Sequence, residues 1–169
     1  MAEEIINRIV NSKLINIDLE ELYPNGKRIL FDIKDWLFEG IILKEKDFRE
    51  HVANHDWSQY QDNYIALTCS EDAIIPSWAY LLLSSELAPF AKKIVVGNLE
   101  MLETVLFQDI IQDFKVDDFK DKPIIIKGCA EKLIPPSAFA FLIQKLQPIA
   151  KTIMYGEACS TVPLYKRKK

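Results

Sequence analysis

From residue 61 onward, short uninterrupted apolar runs alternate with longer stretches whose apolar positions recur every three or four residues. The runs at 64–69, 93–97, 123–129 and 152–156 read as strands, and the stretches at 76–87, 99–112 and 135–146 as helices. Strands alternating with helices of this length indicate βαβ units and a parallel sheet. The run Ile124-Ile125-Ile126 suits a strand covered on both faces. Upstream the pattern is less regular. Ile5, Ile6, Ile9 and Val10 have helical spacing over 3–13, and 28–33 reads as a strand. Positions 44–55 read as a helix with Phe48 and Val52 on its apolar side, while 36–43 is apolar without a period and fits strand or helix equally. The expectation is an α/β fold, a mostly parallel sheet with helices on both faces, in a single domain over 1–169. Residues 1–60 would pack on it as a helical and strand segment.

Within that alternation the chain repeats itself. Residues 69–97 and 129–156 align with one residue dropped in the first loop, giving 12 identities in 28 pairs. They include Cys69/Cys129, Glu71/Glu131, Pro76/Pro135, Ala79/Ala138, Leu83/Leu142, Leu87/Leu146 and Gly97/Gly156. This predicts an internally duplicated βαβ unit, at 61–98 and 121–157. Most of the matches serve the scaffold. Proline suits a helix start, where its missing N–H costs nothing. Ala79, Leu83 and Leu87 form one stripe facing the sheet. The cysteine pair has no such scaffold role.

Each of these two cysteines closes a predicted strand and opens the loop to a helix. Ligands of open parallel sheets sit beyond the carboxyl ends of strands, where the strand order reverses. Right-handed crossovers allow the order 2-1-3-4 for the strands beginning at Tyr64, Lys93, Pro123 and Thr152. That order would make the Cys69 and Cys129 strands neighbours, with Cys159 just past the end of the last strand. Three thiolates on one rim suit zinc or an iron–sulfur centre, with Glu157, His51 or His55 as a fourth ligand. They equally suit reactive thiols, since helix N-termini stabilise thiolates. The plainer alternative treats all three as small buried hydrophobes.

Composition narrows the classes. The chain has 169 residues, 49% apolar and 27% charged, enough for a core without disulfide support. Three cysteines is an odd number. The start MAEEIINRIV is acidic where a secretion signal is basic, and no apolar run is long enough to span a bilayer, so a cytoplasmic protein without membrane contact is expected. Net charge is −4, and the basic residues cluster only at Lys166-Arg167-Lys168-Lys169, which speaks against nucleic acid.

Other groups are weaker candidates. His51 and His55 share a helix face but lack the glutamate of a zinc-protease motif. Ser160 and Thr161 could hold an oxyanion or simply cap a turn. Glu71 and Glu131 occupy matched loop positions, compatible with acid–base work or with solvated charges. No nucleotide-binding glycine loop or hydrolase nucleophile motif is present. Trp78, Tyr80 and Phe139 would shape an apolar pocket if the chain were a non-catalytic ligand- or protein-binding module.

The segments HDWSQY, IPSWAY, KGC and MYGEACSTVPLYK resemble an uncharacterised bacterial family of unknown function, over nearly the whole chain. The shared pattern takes in Trp57, Cys69, Pro76, Trp78, Gly128, Cys129, Pro135, Gly156, Glu157, Cys159, Ser160 and Pro163. The resemblance implies no established activity. It does imply encoding near iron–sulfur assembly genes of the sulfur-mobilisation type. That favours an accessory role in iron–sulfur or sulfur handling, with iron–sulfur assembly proteins as partners.

Overall fold

The computed structural model describes residues 14–127, 131–157 and 159–168. The helix expected over 3–13 lies outside them, as do Gly128, Cys129 and Ala130. In chain order the regular elements are β1 (Ile15–Asp18), β2 (Arg28–Asp32), α1 (Glu45–Asn54), β3 (Tyr64–Thr68), α2 (Ser77–Leu87), β4 (Lys93–Val96), α3 (Leu99–Asp113), β5 (Pro123–Lys127), α4 (Pro136–Leu146), β6 (Thr152–Glu157) and β7 (Ser160–Lys166). The fold is α/β and mostly parallel. The chain forms two compact units, a continuous one over Pro24–Leu106 and a discontinuous one from Met1–Tyr23 and Phe107–Lys169. No helix among the described residues is long and apolar enough to cross a membrane.

The continuous unit holds a three-stranded parallel sheet in the order β2-β3-β4. Its central strand buries Ile65, Ala66 and Leu67 completely. Ile65 and Leu67 belong to one cluster with Ala79, Leu83 and Leu87 of α2 and with Phe48 and Val52 of α1. Ala66 belongs to another, with Leu102 and Leu106 of α3. The expected alanine–leucine stripe of α2 is therefore its buried side. Arg28, at the start of β2, donates to Glu103 of α3 at 2.6 Å, and Glu103 is only 4% exposed.

The discontinuous unit holds a four-stranded sheet, β1-β5-β6-β7, in which only β7 is antiparallel. Its cluster joins Ile17, Ile124, Ile126 and Ile153 to Ala138, Leu142 and Leu146 of α4, with Phe107 and Ile111 of α3. The unit boundary thus falls inside α3, whose first half packs in one cluster and second half in the other.

The strand order 2-1-3-4 does not form. The strand expected beside β3 is β5, yet β2 pairs with β3 and β1 with β5, in different sheets. Each sheet takes in an upstream strand that ends in aspartate: Asp32 pairs with Thr68, and Asp18 with Lys127. The apolar stretch at 36–43 is neither strand nor helix. Its first residue, Trp36, ends a 3-10 turn over Ile33–Trp36, and the rest closes as a tight hairpin in which Phe38 and Ile42 bond to each other.

The element bounds also bear on the alignment. β3 and β5 start 59 residues apart (123 minus 64), as do the helix caps Pro76 and Pro135 and the strands β4 and β6. No residue has to be dropped between strand and helix. At that constant spacing Cys69 corresponds to Gly128, and Cys129 to Ser70. The cysteines then stand one position out of step.

Candidate functional site

The carboxyl end of the continuous unit's sheet gathers Asp32, Cys69, Ser70 and Tyr80. β2 ends in Asp32, whose carboxylate accepts from the N–H of Lys34 at 3.0 Å and from the N–H of Ser70 at 3.1 Å. One side chain therefore caps the 3-10 turn that follows β2 and ties down the loop that follows β3. Burial pushes the Asp32 carboxyl up, but the Ser70 hydroxyl, the two backbone donors and the Lys34 charge more than reverse this, and it titrates below its ordinary value. Cys69, first residue after β3, is a half-buried free thiol. Its Sγ–H points to the carbonyl of Glu71 at 3.6 Å. Burial, and then the charges of Cys69 and Asp32, push the Tyr80 phenol up, so Tyr80 stays a proton donor beside two acidic groups.

The corresponding end of the discontinuous unit carries Asp18, Glu20, Lys127, Glu157 and Cys159. Asp18 accepts from the N–H of Glu20 at 2.9 Å, as Asp32 does from Lys34. Glu20 in turn accepts from the N–H groups of Glu131 and Lys132, each at 2.9 Å, and so fixes the loop before α4. Lys127 pairs with Glu157 at 3.2 Å. Cys159 is exposed in the turn joining β6 to β7. That turn is tight: Gly156 has φ +118°, and a β-carbon there would lie 2.5 Å from the carbonyl oxygen of Ser160.

Of the expected site residues, His51, His55, Cys69 and Glu71 fall in the continuous unit, and Glu131, Glu157, Cys159, Ser160 and Thr161 in the discontinuous one. Cys129 lies outside the described residues. Among the described residues, no three His, Cys, Asp or Glu side chains form a group able to hold a metal ion. Glu157, expected as a fourth ligand, is engaged by Lys127. Ser160 and Thr161 sit in the β6–β7 ladder opposite Glu157 and Gly156, and the Thr161 hydroxyl points to the Met154 sulfur at 3.8 Å.

The histidines belong to an aromatic cluster. His51 stacks on Trp36 with ring centroids 5.4 Å apart. His55 meets Trp57 edge-on at 4.7 Å and shares a 2.8 Å hydrogen bond with the Tyr60 hydroxyl. Burial pushes His55 below its ordinary value, against the opposing charge of Asp56. Trp78 and Tyr80 lie on α2, whereas Phe139 lies on α4, edge-on to Tyr155 at 5.8 Å.

Sequence reasoning missed Asp18 and Asp32. A signal was available only for Asp32, which lies in the expected strand at 28–33; β1, which ends in Asp18, is four residues with two of them polar. Tyr80 was read only as a pocket wall.

The chain matches, over residues 3–167, a family described as "Protein of unknown function (DUF2480)", and it belongs to that family. No curated protein and no solved structure matches it.

Proposed function

We propose that this member of the DUF2480 family is an accessory protein in sulfur or iron–sulfur handling that works through thiols at the carboxyl ends of its sheets. One observation carries the reading: both described cysteines are free, reach solvent, and stand within two residues of the end of a parallel strand. Chains of this architecture keep their ligand-binding groups at that place. Cys129, two residues beyond β5, is the third candidate.

The chemistry that suits such thiols is sulfur relay. A cysteine thiolate attacks the outer sulfur of a persulfide donor; the donor's S–S bond breaks and the donor leaves as a thiolate. The cysteine then carries the persulfide, with no net oxidation. Tyr80 and Asp32 would hold and orient the proton near Cys69. Zinc or a cluster is the other branch of this reading, and it requires Cys129.

Equal 59-residue spacing of strands and helix caps supports reading the two halves as copies of one βαβ unit. The separate clusters of Ile65 and Ala66 support helices on both faces of the continuous unit's sheet.

The test treats anaerobically purified protein with a low-molecular-weight persulfide and measures intact mass and bound metal. Sulfur increments lost singly in Cys69→Ser and Cys159→Ser, or metal lost in the triple Cys→Ser variant, are the expected results. If the wild type takes up no sulfur and holds no more metal than the triple variant, the proposal fails.

A further inference from the structure

The continuous unit carries an apolar groove that the thiol reading does not use. It has a volume of about 480 Å³ and runs between two loops at the carboxyl end of the sheet. Ile41, Ile42 and Leu43 line one side, and Asp72, Ala73, Ile74 and Pro76 the other. Ile74 is 93% exposed, Ile41 60% and Ile42 53%. Single exposed aliphatics are ordinary, but three branched ones converging on a groove mark an interaction surface.

The groove is held in shape. Phe38 and Ile42 exchange hydrogen bonds at 2.7 and 3.1 Å, across a turn in which Glu39 (φ 51°) and Gly40 (φ 72°) both adopt left-handed backbone. On the opposite side the N–H of Ala73 bonds to the carbonyl of Glu71 at 2.8 Å, and Pro76 caps α2. A preorganised surface binds with little ordering cost.

Charge indicates what it binds. The bordering loops carry Glu39, Glu71 and Asp72, all exposed, and among the described residues none of the three has a cation within 4.0 Å. The nearby lysines are otherwise engaged: Lys34 with Asp32 at 3.7 Å, and Lys44 over the Phe38 ring. An apolar slot with an uncompensated acidic rim is complementary to an aliphatic anchor flanked by basic residues. A second copy of this chain, paired symmetrically, would set acid against acid.

We propose that this groove binds a segment of another protein that inserts a branched aliphatic side chain between Ile42 and Ile74 and carries Lys or Arg beside it. A displayed library of random short peptides is selected on the full chain, and the enriched peptide is synthesised. The expected consensus is an aliphatic residue flanked by Lys or Arg. Its affinity should fall about tenfold or more in Ile74→Asp, and several-fold in Asp72→Lys with a weaker salt dependence. Both side chains stand in solvent, and circular dichroism checks the fold. Enrichment of acidic or uncharged peptides overturns the proposal, as does unchanged affinity in Asp72→Lys. A concentration-dependent dimer abolished by Ile74→Asp also overturns it, because the occupant is then a second copy.

Discussion

Asp32 accepts hydrogen bonds from two loops at once, and its ionisation therefore reports on the rim it organises. Its folded pKa lies below its ordinary 3.8. The carboxylate thus adds stability that is complete above that value and is lost as pH falls through the folded pKa. Asp32→Ala should cost about 1 kcal/mol at neutral pH, the usual worth of a cap. Thermal melts from pH 7 to pH 3 should show the gap to wild type closing in acid; a gap that stays constant would mean packing rather than charge. His55 runs differently. Its folded pKa is held below 6.5 by burial, so the unfolded chain takes up the proton first. Stability due to neutral His55 is complete above 6.5 and declines as pH falls from there to the folded value. In His55→Gln, the loss of melting temperature between pH 7.5 and pH 5.5 should be smaller than in wild type.

Elements show where a sequence pattern stops being informative. The helix periods located α1 to α4 within a residue or two, because burial repeats along a stripe, as in Ala79, Leu83 and Leu87. β1 and β7 were not legible. β1 has four residues, two of them polar, and β7 is an edge strand with most of its side chains in solvent and a proline inside it. Missing β1 also displaced the strand order, since β5 then lacked one of its two neighbours. The turn that closes β7 onto β6 can be tested directly. Gly156→Ala would force a β-carbon against the Ser160 carbonyl at φ +118°. A loss of about 1–3 kcal/mol is expected, read by denaturant unfolding; an unchanged midpoint would contradict the hairpin geometry. In the continuous unit Glu103→Ala should cost about 1–3 kcal/mol, because Arg28 loses its carboxylate partner while keeping the Pro24 and Gly26 carbonyls. Replacing both partners with apolar residues should restore much of that loss.

At the scale of the whole chain, the one-sheet expectation failed where local signals carry no information about which strand lies beside which. Two successive βαβ segments look the same from sequence whether they share a sheet or build two, and the short upstream strands ending at Asp18 and Asp32 decide it. Of the cysteines, the described Cys69 and Cys159 each follow the end of a strand, and this makes the thiol proposal separable from the fold. Cys159 is exposed, and Cys69 is a half-buried neighbour of the cluster around Ile65 rather than one of its buried members. Cys→Ser changes outside a packed core usually shift stability by about 0.5 kcal/mol or less. For a chain of this length that is about 1–2 °C in Tm. The Cys69→Ser/Cys159→Ser double variant should therefore melt within that margin of wild type, with an unchanged far-ultraviolet spectrum, while losing its share of sulfur uptake. If it melts many degrees lower, the thiols are packing groups, and any loss of sulfur or metal in the cysteine variants would reflect unfolding instead of chemistry.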